Sequence, residues 1–174
     1  MRRTMLGTLF FVLASLGSLV FAADKGTTAL HGNAAAKEDT DLTIQEMLVY
    51  AIQDEYMAKA EYAAIMVKFG NVRPFSNIIE AENTHIGWLE QAFKTYKITM
   101  VKDEAALYLV VPKTLTEAYE TGVQAEIDNI AMYNRFLALP LLQDPKYADL
   151  KTLFTNLRDA SENHLRAFRN QLNK

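Results

Sequence analysis

The tightest constraint on this chain is the step Glu82-Asn83-Thr84-His85 inside the run from Phe75 to Tyr96. Residues three apart share one face of a helix, so Glu82 and His85 point the same way. Their companions on that face are Phe75, Ile78, Leu89, Ala92 and Tyr96, the three-and-four spacing of a stripe that faces a core. A carboxylate and an imidazole are thus aimed into apolar surroundings. Taking an unpaired carboxylate out of water costs on the order of several kcal/mol. The pair needs a partner, and a metal ion is the natural one.

The rest of the chain supplies the surroundings. Thr43-Ile44-Gln45-Glu46 is a capping box that opens a helix. Its stripe of Leu48, Ile52, Glu55, Ala58, Tyr62, Ile65 and Phe69 runs to a stop at Gly70. Pro74 suits the first position of a second helix, and the short link before it makes the two helices antiparallel neighbours. Residues 97–113 keep no helical stripe, Tyr108 to Val111 reads as extended, and the segment is long enough to cross a bundle end to end. A second capping box, Thr114-Leu115-Thr116-Glu117, opens a third helix with the stripe Leu115, Ala118, Gly122, Glu126, Asn129, Tyr133 and Phe136. Gly122 costs about 1 kcal/mol against alanine inside a helix, which implies close packing or access there. That helix ends near Leu139-Pro140. Asp144-Pro145 supplies the cap and first turn of a fourth, with the stripe Leu150, Phe154, Leu157, Ser161, His164, Phe168 and Leu172. The expectation is an all-α fold: a four-helix bundle of two antiparallel hairpins joined by one long crossover. Met47, Met57, Met66, Met132, Trp88 and Phe93 read as core packing.

The hairpins repeat each other. Phe75-Ser76-Asn77-Ile78 matches Phe154-Thr155-Asn156-Leu157, and the same 79-residue offset lays His85-Ile86 on His164-Leu165. In the preceding helices Gln53, Glu55 and Tyr62 match Gln124, Glu126 and Tyr133 at an offset of 71. Each half therefore presents a glutamate, a tyrosine two turns on, and a histidine from the next helix. Packed about a pseudo-twofold axis, they would bring Glu55, Glu82, His85, Glu126 and His164 to one layer. Three carboxylates and two imidazoles there call for a cation. Oxygen with nitrogen ligands suits iron(II), manganese(II) or zinc, and glutamates reaching between facing helices suit a pair of ions.

At 174 residues, half of them hydrophobic, the chain fits one domain. Arg2 and Arg3 ahead of the apolar run Met5 to Val20, followed by Val20-Phe21-Ala22, predict a secretory signal peptide over 1–22 and a secreted, periplasmic protein. The run is short for a membrane-spanning helix. Residues 23–42 read as a flexible leader to a domain over 43–174, and His31 as a stray exposed histidine within it. Without cysteine, disulfides, Cys-ligated zinc and iron–sulfur clusters are excluded. Removing the two arginines takes the formal charge from −3 to −5, which argues against nucleic acid or anionic membrane as partner.

With these residues set out, the chain resembles the ferritin-like di-iron carboxylate superfamily, especially its rubrerythrin-like branch. Glu55-x-x-Ala58-x-x-x-Tyr62 looks like that branch's first-helix signature, Glu82-x-x-His85 like its second, and Glu126 with Tyr133 like its third. The segments Ala51 to Tyr62, Phe75 to His85 and Ser161 to Phe168 are similar to a family of ferritin-like domains of unknown function, and the likeness spans about Leu42 to Leu172. It implies a non-haem iron protein with one or two ions held by Glu55, Glu82, His85, Glu126 and His164, with Tyr62, Tyr133 and Ser161 behind them. Oxidation of iron(II), or reduction of peroxide or dioxygen, would follow. With no rubredoxin-type centre able to form, electrons would come from the substrate or an external electron donor; a homo-oligomer is compatible with the sequence, although four helices do not imply a ferritin-like cage. One departure favours the alternative, a metal-binding or structural bundle without turnover. Ser161 stands where a full site has a carboxylate, so the second metal position is expected to be short of a ligand. Glu162, about 200° round the helix from His164, and Asp159, off the stripe, do not replace it.

Overall fold

The structure, a computed structural model, describes residues 30–174, and these are all-helical, with five α-helices and no strand among them. They are α1 (Gly32–Glu38), α2 (Ile44–Phe69), α3 (Phe75–Thr95), α4 (Leu115–Ala138) and α5 (Ala148–Leu172). No described helix is long and apolar enough to cross a membrane. The expected signal peptide at 1–22 and the first part of the leader lie outside the described residues.

Both capping boxes are formed. Glu46 Oε2 accepts from Thr43 N at 2.8 Å while Thr43 Oγ1 accepts from Glu46 N at 3.3 Å, and Thr114 with Glu117 repeats the arrangement. Each box satisfies two of the backbone donors that a helix start leaves open, at about 1 kcal/mol per cap. Gly70 ends α2 with φ of 87°, a left-handed value that glycine adopts without strain. Asp144 and Pro145 do not start α5 directly. Asp144 caps a short 3-10 turn over Pro145–Tyr147, and α5 begins at Ala148. The crossover holds a 3-10 turn at Ala105–Leu107 where extended chain was expected a few residues further on.

Core residues fall into two clusters, and their order along each helix fixes its direction. On α2, Leu48 and Ile52 belong to the first cluster and Tyr62 and Ile65 to the second. On α3 the order is reversed, with Phe75 and Ile78 in the second and Leu89 and Phe93 in the first. α4 runs from Ala118 in the second to Tyr133 and Phe136 in the first, and α5 from Phe154 and Leu157 back to Phe168. Hence α2 and α3 are antiparallel, α4 and α5 are antiparallel, and residues 96–114 must travel the length of the helices. The pairs α2 with α3 and α4 with α5 make the closest packing, with α3 against α5 and α2 against α4 completing it. Gly122 serves that packing: a Cβ there would lie 2.8 Å from the Phe168 ring.

Three expectations differ from what the structure describes. From residue 30 onward the leader holds a helix, α1, fastened to α2 and α4. Asn33 donates from its backbone and its side chain to Asp54 Oδ1, Gly32 N donates to Gln53, and the Arg135 guanidinium caps the carbonyls of Ala36 and Asp39. Those partners lie 21 to 99 residues away in sequence, so the local composition carries no trace of them. His31 is accordingly half-buried, its ring stacked on Tyr108 with centroids 4.3 Å apart. Trp88 is 43% exposed rather than core, beside the His85 ring, whereas Phe93 is buried.

Candidate metal centre

Between the two apolar clusters lies one polar layer. Each of α2 to α5 changes character there for a single turn: Glu55 on α2, Glu82 and His85 on α3, Glu126 on α4, His164 on α5. All five side chains are buried, from 2% exposed for Glu55 to 8% for His164. The structure thus brings together the five residues that the repeat nominated.

They form two groups that share one member. His85 Nδ1 lies 3.1 Å from Glu55 Oε2 and 2.9 Å from Glu82 Oε2. His164 Nδ1 lies 3.3 Å from Glu82 Oε1 and 3.4 Å from Glu126 Oε1. Glu82 therefore turns one oxygen to each imidazole. In both triads, Glu55–Glu82–His85 and Glu82–Glu126–His164, the ligand atoms lie within 4.8 Å of one another, close enough to share an ion. The imidazole rings stand 5.8 Å apart. Behind the carboxylates the tyrosines cross over: Tyr62 OH donates to Glu126 Oε1 at 2.8 Å, and Tyr133 OH to Glu55 Oε1 at 2.7 Å. Each hydroxyl fixes the glutamate of the opposite half; on Glu55 the other oxygen faces His85, whereas on Glu126 the same Oε1 accepts from Tyr62 and faces His164.

The electrostatics describe a centre short of positive charge. Burial pushes the Glu55 carboxyl up to about 8, with the Glu82 charge adding to it, and burial raises Glu126 as well. Burial opposes ionisation of Glu82 too, yet the His164 and His85 imidazoles draw it down to about 2. Burial likewise works against imidazolium, but the facing carboxylates hold His85 up to about 10 and His164 up to about 9. Protons sit where the donor set calls for cations. His164 Nδ1 is buried and has no aligned hydrogen-bond partner among the described residues. That orphaned atom, facing two carboxylate oxygens, is what a metal ion would satisfy, so the residues present fit a metal.

Ser161 joins neither triad. It is buried, and its Oγ donates to Asn129 Oδ1 at 3.0 Å, while Asn129 Nδ2 donates to Asp54 Oδ2. Asp54 is held by Asn33 as well, and burial pushes its carboxyl up to about 6. Its counterpart in the other half, Glu82, belongs to both triads, so Ser161 stands where the repeat would place a second shared carboxylate. Asp159 and Glu162 are exposed, Asp159 paired with Arg158.

Asp54 and Glu61 escaped the sequence reading, and Asn129 was read only as part of the α4 stripe. Asp54 and Asn129 form the chain just described, and Glu61 lines a cavity of about 330 Å³ together with Asp54, Glu82, Glu126, Asn129 and Ser161. Burial pushes the Glu61 carboxyl up to about 7, the Glu126 charge contributing. The readable signal was the repeat itself. Asp54 matches Ala125 and Asn129 matches Ala58 at the 71-residue offset, so the bonded chain joins the positions at which the halves differ.

Fold and centre together define an all-helical protein with two carboxylate–histidine triads built on a shared glutamate. The chain is similar to an uncharacterized protein of Methanocaldococcus jannaschii, 28% identical over 140 residues, a match covering 74% of this chain and 75% of that protein. No family model matches the chain, and no solved structure matches it.

Proposed function

We propose that this protein is a ferritin-like four-helix bundle that holds two transition-metal ions, iron by preference and manganese or zinc by ligand chemistry, at the two triads. The observation that carries the reading is Glu82, whose two oxygens serve one imidazole each. Helix directions, the long crossover and the crossed tyrosines support the ferritin-like, rubrerythrin-like assignment. Iron in such a centre would supply one-electron chemistry towards dioxygen or peroxide. The chain's own residues bind through five ligands, orient Glu55 and Glu126 through Tyr133 and Tyr62, and keep bulk water from the layer. Electrons come from iron(II) as substrate or from a separate donor, because the chain has no cysteine for a second centre. We further propose export through residues 1–22 to the periplasm.

Metal content of the purified protein tests the first step: two ions per chain are expected, and no bound iron, manganese or zinc under gentle conditions would sink the centre. Oxidation of added iron(II) by dioxygen or peroxide tests the second, with wild type expected to outpace Glu55→Ala. A second reading, a metal that only stabilises the fold, is favoured by one observation. Ser161 occupies the place of a second bridging carboxylate and is bonded to Asn129 instead. Equal oxidation rates in wild type and Glu55→Ala, with metal bound, would establish that reading.

A further inference from the structure

The five ligands are nearly sealed from solvent, so an ion reaching them needs a way in. The cavity of about 330 Å³ ends on two of them, Glu82 and Glu126. Its carboxylates are Asp54, Glu61, Glu82 and Glu126, beside His31, Tyr62 and Tyr108, with neither lysine nor arginine. Ala58 and Ala125 leave the space open, and α1 with Tyr108 forms one side. Of the four acids, Asp54 already accepts from Asn33 and Asn129, and Glu126 from Tyr62. Glu82 faces both imidazoles. Glu61, half-buried, makes neither a hydrogen bond nor an ion pair with any described residue. Beyond Glu82 and Glu126 lies His164 Nδ1, which has no aligned hydrogen-bond partner among the described residues and stands 3.3 and 3.4 Å from their oxygens, in a side chain 10% exposed.

We propose that this cavity is the loading route of the metal centre and that Glu61 is its capture residue, binding an incoming divalent cation and handing it to Glu126. The inference rests on the metal-centre reading above. A wall with four carboxylates raises the local concentration of cations and repels anions. Glu61 is the member whose carboxyl has no partner among the described residues, so it is free to take an incoming ion. A capture residue acts on the rate of loading and not on its end point, because the bound ion no longer touches it.

The test mixes metal-free protein with cobalt(II) and follows the visible absorption of the bound ion in a stopped-flow instrument, with final content measured separately. Glu61→Gln, which keeps the shape, is expected to slow loading about tenfold, within the range that electrostatic steering spans. Glu61→Lys should slow it further. Both should reach the wild-type cobalt content and affinity. Glu162→Gln, at an exposed acid outside the cavity, should load at the wild-type rate. Ala125→Leu, which narrows the cavity without changing charge, should also slow loading, with thermal melting confirming that it folds. Wild-type rates in Glu61→Gln and Glu61→Lys at full content would overturn the route. Lowered content in both would overturn it as well, by making Glu61 a ligand. Failure of the metal reading looks different: wild type itself would take up no cobalt.

Discussion

Because Glu82 turns one oxygen to each imidazole, its neutralisation should cost both metal positions, while loss of Glu55 or Glu126 should cost one. The change Glu82→Gln keeps the shape and removes one negative charge that lies 2.9 Å from His85 Nδ1 and 3.3 Å from His164 Nδ1. At an effective dielectric of about 20, unit charges at these separations interact by roughly 5 kcal/mol each. Desolvation of the ion offsets part of that, so a net loss of about 3 kcal/mol per position, or about 100-fold in affinity, is a working figure. The assay is equilibrium dialysis against a buffered metal followed by elemental analysis, with thermal melting to confirm the fold. Wild type should hold two ions, Glu55→Gln and Glu126→Gln one each, and Glu82→Gln fewer than either. A Glu82→Gln protein that keeps one tightly bound ion would refute the shared bridge. So would a Glu55→Gln protein that loses both.

The metal-free protein should be less stable in alkali. His85 and His164 are raised to about 10 and 9, so the stability that they contribute is full below their ordinary value and is lost as pH rises through 9 to 10. Glu55, raised to about 8, acts in the same direction, whereas Glu82 acts only as pH falls through about 2. Calorimetry should show the apo melting temperature falling by about 5 °C or more from pH 7 to pH 10, and metal should abolish the fall. Gly122→Ala places a Cβ 2.8 Å from the Phe168 ring. Overpacking of about 1–3 kcal/mol outweighs the roughly 1 kcal/mol of helix propensity, so chemical denaturation should report a less stable protein. Asn33→Ala removes the side-chain bond to Asp54 and keeps the backbone one, and should loosen α1, seen as faster amide exchange over residues 32–38 with the exchange of α4 unchanged.

The helices were legible because each announces itself twice, by a stripe and by its punctuation. Thr43 with Glu46 and Thr114 with Glu117 are short-range signals, and the structure closes both boxes. The convergence of Glu55, Glu82, His85, Glu126 and His164 was legible for a related reason, since a charged residue inside an apolar stripe has nowhere to go but the interior. What was illegible depends on contacts distant in sequence. Arg135 fastens α1 across 99 residues, and no pattern within 23–42 could show it. Asp54 sits beside the α2 stripe rather than in it, and its burial comes from α1 and Asn129, neither of which its own helix specifies. Trp88 misled in the other direction. Its size argues for a core place, yet it stands on the outer side of the His85 turn.

The departures from the repeat belong to one another. The halves agree at Glu55 and Glu126, at His85 and His164, and at Tyr62 and Tyr133; they differ where Ser161 replaces a counterpart of Glu82, Asn129 one of Ala58, and Asp54 one of Ala125. In the structure the three odd residues are bonded in series, Ser161 to Asn129 to Asp54. A serine lacks the pair of oxygens with which Glu82 faces both imidazoles, but it completes a hydrogen-bonded wall, and that wall borders the cavity. On the proposed reading the exchange also alters the charge balance. Two divalent ions meet three carboxylates, not four, so one positive charge is left over. Oxidation of both ions would leave three. A centre built this way favours the lower oxidation state, and the side from which the bridge is missing is the side on which the cavity opens. On that reading Glu55 with Glu126 and His85 with His164 are paired across the repeat while Glu82 is not, and the serine that leaves Glu82 unpaired both lines the cavity and weakens the case for oxidative turnover.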